Sequence, residues 1–541
     1  MDILGNWKER RGGPLNALGE IDRRTFVKLA SLSAAALVFG AGPFAQKAWV
    51  QTRLSNYPFT LGVASGDPLP DGVVLWTRLA PDPLVGDGTG GMPDREVPVR
   101  WEVAKDENFH RVVQGGTEYA RPELAHSVHV EVEGLEPGRE YFYRFETGGE
   151  LSPTGRTKTA PAAGAAVSDL TFAFASCQQY EHGYFTAYRH MSEEDLDLVV
   201  HLGDYIYEYG PGEDVATGGN VRAHDRRVST LGDFRDRYAL YRMDEDLKAS
   251  HAAFPWIVTW DDHEVENNYA DEFPEEGPES PVFVQRRAAA YQAYYEHMPL
   301  RRSSMPRGPD MPIYRRLAYG DLVEFSVLDT RQYRNDQASG DGKQPPSPEA
   351  SDPGRTLLGS RQERWLLNGL GASKVRWNVL AQQVFFARFD AQDGVKRLFE
   401  MDAWDGYEAQ RNRIVERVAE GGIENFVVLT GNVHGNWANE ILTNFDDPDS
   451  SRAVGAEFVG TSISSGGDGS DVRPGTLETL DENPHVKFWN DQRGYVRCRL
   501  TQDTWQTDYR VLPSVREPGA PVTTRASLAL EDGDPRIQTA G

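Results

Sequence analysis

The chain has 541 residues, with 57 Lys and Arg against 82 Asp and Glu, for a formal net charge of -25. That length allows more than one domain and a large buried core, and the acidity argues against a nucleic-acid-binding role, because a phosphate backbone is met by a cationic footprint. A hydrophobic share of 39% and a charged share of 26% are ordinary for a soluble globular protein, and two cysteines, Cys177 and Cys498, are too few for a disulfide-stapled scaffold.

Residues 1–48 read as a twin-arginine export signal. Arg23-Arg24-Thr25-Phe26-Val27-Lys28 precedes an apolar run over residues 29–41, and small residues follow at Ala45 and Ala48, where cleavage is expected. The run is shorter than the ~20 residues of a membrane span. No cysteine follows it, so no lipid anchor is indicated. The competing reading is an N-terminal helix with an accidental Arg-Arg pair. The twin-arginine machinery carries proteins that fold before export, often with a cofactor already inserted.

Residues 50–160 are expected to form a β-sandwich of roughly 100 residues. Residues 73–79, 97–103, 126–132 and 141–146 are β-rich or alternating. The stretch from Leu135 to Tyr143, with Pro137-Gly138 before Tyr141, looks like the corner before a late strand in fibronectin-type sandwiches. Residues 160–166, mostly Ala with Pro and Gly, have linker composition.

From residue 168 to 541 the pattern becomes α/β. Apolar runs at residues 170–175, 196–202, 256–260, 322–328, 377–381 and 425–429 suit strands covered on both faces. Helical stretches at residues 285–297 and 362–370 lie between them, giving a layered arrangement of sheets and helices. Residues 335–353 are a polar surface excursion.

Four of the strand ends carry polar, metal-competent residues: Ser176-Cys177, Gly203-Asp204-Tyr205-Ile206-Tyr207, Asp261-Asp262-His263-Glu264 and Gly431-Asn432-Val433-His434. Ligands in open α/β sheets bind beyond the strand carboxyl ends. Each motif alone has a structural explanation. Gly-Asp is a common turn, Asp-Asp-His-Glu suits a helix N-terminus, and Gly-Asn suits a left-handed turn. Four of them after buried strands point instead to oxygen and nitrogen ligands converging on one or two cations. A carboxylate such as Asp204 can bridge a cation pair roughly 3.5–4 Å apart, an arrangement that stabilises both oxygens of a phosphoryl transfer.

The order Gly-Asp, Asp-His-Glu, Gly-x-x-His resembles the calcineurin-like metallophosphoesterases. Ala175-Ser176-Cys177-Gln178, the run from His201 to Gly210, the run from Thr259 to Tyr269, Leu328-Asp329-Thr330-Arg331-Gln332-Tyr333 and Asn378-Val379-Leu380-Ala381-Gln382-Gln383 are similar to the PhoD-type alkaline phosphatases. The likeness extends from the export signal to Gly494-Tyr495-Val496-Arg497-Cys498. It implies a metallophosphoesterase-like sheet core behind the N-terminal sandwich. It also implies a ferric ion held by Cys177, Asp204 and Tyr207, with calcium on oxygens such as those of Asp204 and Asp262. Thiolate and phenolate suit a trivalent iron, and coordination deprotonates the thiol. With Cys177 so engaged, Cys498 is a buried apolar residue.

One position departs from the family pattern, in which the fourth strand end reads Gly-Asp-x-His. Here Asn432 replaces the aspartate and removes a negative charge, which leaves room for another divalent metal; His434 is a further ligand candidate. The expected activity is release of inorganic phosphate from small phosphate mono- or diesters, by a secreted or periplasmic monomer without a stable membrane anchor. His263 is expected at the leaving oxygen or behind the ligands. Arg222 is expected on the substrate phosphate, which guanidinium meets bidentately, or else as a solvated loop arginine. A reading from another class is a non-catalytic metal- or phosphate-binding secreted protein with an adhesion-type sandwich.

Overall fold

In the computed structural model, which describes residues 56–540 apart from 393, 395, 449 and 473–475, the apolar runs are strands buried on both faces. Trp377–Ala381 and Phe426–Thr430 are buried at every position, as are Leu198–His201 and Pro255–Val258. Val, Leu and Ile fill the space on both sides of such strands, which is why the runs are continuous rather than alternating. The export signal lies outside the described residues.

The strands form two large sheets. In one of seven strands, Val323–Val327, Trp377–Ala381, Phe426–Thr430 and Ala453–Val459 run parallel in that order. In the other, of ten strands, Asp169–Ala175, Leu198–His201 and Pro255–Val258 run parallel at the centre. The sheets pack face to face over Phe172, Phe174, Val200, Phe325, Val427 and Phe458. Phe172 and Phe325 meet edge to face at 5.3 Å between ring centroids.

Helices cover the two outer faces. Leu231–Arg242, Glu245–Ala253 and Pro281–His297 lie against the ten-stranded sheet through Phe234, Leu247 and Tyr291. Gly359–Ala372 and Glu408–Gly421 lie against the seven-stranded sheet through Leu366 and Ile414. The result is helix, sheet, sheet, helix, with the carboxyl ends of the parallel strands of both sheets meeting where Ser176 bridges to Ser462.

Within the expected sandwich of residues 50–160, the described residues 56–160 do not stand apart from the rest of the chain. Val63–Leu69, Gly72–Arg78 and Ser127–Glu133 complete the ten-stranded sheet, because Val63–Leu69 pairs in parallel with Pro255–Val258. Val97–Ala104, Val112–Ala120, Glu140–Thr147, Glu150–Leu151 and Gly155–Lys158 form a second sheet. Val73, Leu75 and Val130 of the first pack on Val99, Tyr143 and Phe145 of the second. The expected corner is present: the Tyr141 hydroxyl accepts the Glu136 N–H at 2.9 Å. The described residues form one compact unit.

Candidate metal centre

Three of the four strand ends turn sharply. Cys177, Asp204, Asn432 and His434 all have left-handed backbones, with φ of 59, 56, 65 and 53°. Such conformations cost roughly 1–3 kcal/mol each in a non-glycine residue, and they persist where the surroundings over-determine them. Gly203 precedes Asp204 with φ +108°, and a Cβ there would lie 2.4 Å from the Asp261 nitrogen. Only glycine fits that approach.

A buried carboxylate fastens two of the turns together. Glu264 accepts the N–H groups of Asp204 at 3.1 Å, Tyr205 at 2.5 Å and Asp261 at 2.8 Å. The Asp261-Asp262-His263-Glu264 segment is therefore not a helix start. One turn closes, Glu266 N–H to Asp262 C=O at 2.8 Å, and Asn268, at φ 48°, ends it.

These turns bring the predicted ligands together. Ligand atoms of Cys177, Asp204 and His434 lie within 4.8 Å of one another, as do those of Asp204, Asp262 and His263. Asp204 belongs to both groups. The Tyr207 hydroxyl donates to Asp204 Oδ2 at 3.0 Å and lies 3.2 Å from His434 Nε2. The Tyr207 ring stacks on the His263 imidazole at 4.1 Å, and Glu208 Oε2 lies 2.9 Å from His263 Nδ1. Asn432 is half-buried on the same turn as His434.

The electrostatics of this cluster suit a cation. Asp204 Oδ1 is buried without a hydrogen-bond partner, and Asp262 Oδ1, likewise without one, faces only the Arg331 guanidinium at 3.3 Å; a buried carboxylate oxygen left so is costly unless a counter-charge completes it. Burial, reinforced by neighbouring Asp262, pushes the Asp204 carboxyl up to about 7. Burial and the Asp204 charge push the Cys177 thiol and the Tyr207 phenol well above their usual ranges. Burial works against the charge on Asp262, yet Arg331 and His263 hold that carboxyl below its usual range. His263 is kept protonated against burial by Glu208, Asp262 and Asp204. His434 is pushed down to about 3 by burial and by Arg493, so it is a neutral imidazole. Carboxylates, a thiol, a phenol and a neutral imidazole fit one or more bound metal ions.

Arg222 is not brought into the cluster. Its guanidinium donates to the Tyr180 carbonyl and to Asp244, both at 2.8 Å, and lies over the Tyr180 ring at 3.7 Å and the Phe185 ring at 4.3 Å. A planar cation stacks well on aromatic faces, and Asp244 is also the N-cap of Glu245–Ala253. These are structural contacts.

Several residues without an assigned role from sequence build the site. Glu264 and Glu208 hold its backbone and its imidazole. Arg331, fully buried, bonds Asp261 at 2.6 Å and Asp402 at 2.8 Å and lies 3.3 Å from Asp262. Ser465, on the turn after Ala453–Val459, donates to the Tyr207 oxygen at 2.8 Å. Glu208, Glu264 and Arg331 stand inside motifs already singled out, whereas Ser465 sits in a Ser- and Gly-rich run that reads as a loop.

Comparison with known proteins identifies the family. Residues 172–509 match the family model described as PhoD-like phosphatase, and residues 45–161 match its N-terminal domain. The chain is 60% identical over 516 residues to alkaline phosphatase D of Bacillus subtilis (strain 168), covering 94% of this chain and 88% of that one. A solved structure described as PhoD superposes with a TM-score of 0.88 at 61% identity, over 90% of this chain and 93% of that one. The chain belongs to the PhoD-like phosphatases.

Proposed function

We propose that the protein is an exported, metal-dependent alkaline phosphatase that hydrolyses small phosphate mono- or diesters. The observation that carries this reading is the sharing of Asp204 between two ligand groups, with one of its oxygens buried and unpartnered. Family membership supplies the activity class. The export reading rests on the arginine pair ahead of residues 29–41. Among the described residues no helix is long and apolar enough to cross a membrane.

Cys177, Asp204 and Tyr207 are the proposed holders of ferric iron. Asp204, Asp262 and the Asn432 carbonyl are proposed for calcium, with His434 as a further nitrogen donor. Such ions supply Lewis-acid charge for phosphoryl oxygens. Asn432 in place of an aspartate lowers the negative charge of the site by one.

The chain's own groups are proposed for the remaining steps. Glu208 fixes His263 through Nδ1, so Nε2 is the nitrogen left for substrate. A protonated Nε2 would donate to the leaving oxygen as its bond to phosphorus breaks and a water oxygen bonds to phosphorus in its place. The stacked Tyr207 ring holds the imidazole plane. Glu264 keeps Asp204 and Asp261 in register through three backbone N–H groups, and Arg331 balances the carboxylates behind Asp262.

The test is alanine at Asp204. D204A should reduce p-nitrophenyl phosphate turnover to background while circular dichroism and the melting transition show a folded chain. Full turnover by the folded variant would overturn the assignment. Turnover of bis(p-nitrophenyl) phosphate by the wild type separates diester from monoester use.

A further inference from the structure

We infer that Ser465 is a positioning residue for the Tyr207 phenol oxygen and, through it, for the bound metal. The inference rests on the metal reading above and concerns a residue outside the proposed ligand set.

Ser465 is fully buried. Its hydroxyl oxygen accepts the Gln179 N–H at 3.0 Å and donates to the Tyr207 oxygen at 2.8 Å. A serine hydroxyl has a single proton. With a backbone N–H already donating into that oxygen, the proton is directed at Tyr207. The Tyr207 oxygen is in turn 3.0 Å from Asp204 Oδ2 and 3.2 Å from His434 Nε2, so it is the point where Ser465 touches the ligand cluster.

The loop bearing Ser465 is itself fixed. Ser462 Oγ donates to the Ser465 carbonyl at 2.8 Å, and Ser464 Oγ donates to the Gln179 carbonyl at 2.8 Å. The N–H groups of Ser464 and Ser465 both reach the Cys177 carbonyl at 3.4 Å. One turn thus grips the backbone of Cys177 and the side-chain oxygen of Tyr207. A hydrogen bond from behind a ligand sets its orientation and draws electron density from its donor atom. Loss of the Ser465 hydroxyl leaves that density on the phenol oxygen and raises the donor level from which charge transfer to iron occurs.

The experiment compares full-length wild type, S465A and S465T as purified, by visible absorption and by metal retained against graded chelator. The wild type is expected to be violet. S465A should absorb at longer wavelength and release metal at a chelator concentration roughly tenfold lower, and S465T, which keeps the hydroxyl, should restore both. Melting curves establish that each variant is folded. A violet S465A with an unshifted band and wild-type metal retention overturns the role of Ser465 and leaves the iron assignment standing. A colourless wild type overturns the iron assignment; chelator release then decides Ser465 alone, and equal release from wild type and S465A overturns it.

Discussion

Three backbone N–H groups end on the Glu264 carboxylate, and this single side chain sets the spacing between the Asp204 turn and the Asp261 turn. Burial and the nearby Asp204 charge push its carboxyl up to about 8, so its acceptor role depends on the donors that surround it. Glutamine at this position keeps the shape but turns one acceptor oxygen into a donor facing N–H groups. E264Q should therefore lose roughly tenfold or more in metal affinity, and turnover with it, as groups behind metal ligands do. Equilibrium dialysis with elemental analysis checks this; wild-type affinity in a folded E264Q would contradict it. The ligand candidates themselves were legible in sequence because each follows a buried strand directly. Arg222 was not, since nothing in Gly219-Asn220-Val221-Arg222 announces the aromatic rings of Tyr180 and Phe185 that hold it.

At the level of elements, the apolar runs marked six parallel strands within a residue or two, and the two helical stretches became Pro281–His297 and Gly359–Ala372. Strands with mixed exposure were missed, as in Gly494–Thr501 and Thr504–Val511, where polar residues interrupt the apolar ones. Leu328-Asp329-Thr330-Arg331 shows how a strand end can serve the site without touching substrate. Trp260 Nε1 donates to Asp329 Oδ1 at 3.1 Å, while Arg331 faces Asp261, Asp262 and Asp402. Removing one partner of a buried ionic group leaves the others uncompensated. R331M should lower the unfolding free energy by about 3 kcal/mol or more, read by urea denaturation. A loss under about 1 kcal/mol would place Arg331 outside the stability of the strand end.

For the whole molecule, the merging of the N-terminal strands into the large sheet was the least legible feature. Val63–Leu69 contains Ser65-Gly66-Asp67-Pro68, a run poor in β-formers, and it is held as a strand between its antiparallel neighbour Gly72–Arg78 and a parallel partner nearly two hundred residues later. The same junction holds His129, whose Nδ1 donates to the Leu300 carbonyl at 3.1 Å and whose ring stacks on Tyr295 at 4.4 Å. Burial pushes His129 from 6.5 down to about 4. Between those values the unfolded chain binds a proton that the folded chain refuses, so this residue's contribution to stability falls as pH falls, by about 2 kcal/mol at pH 5. H129F loses the hydrogen bond and, having no titratable ring, the proton-linked cost as well. It should melt below wild type at pH 7, with the gap narrowing at pH 5; a gap independent of pH would contradict the assignment. Binding of metal by the two strand-end clusters through Asp204 is read most directly by elemental analysis of the untreated full-length protein beside D204A. Near one equivalent of iron with calcium in the wild type, and loss of both in folded D204A, is the predicted result. No bound metal in the wild type, or undiminished metal in the variant, would contradict it.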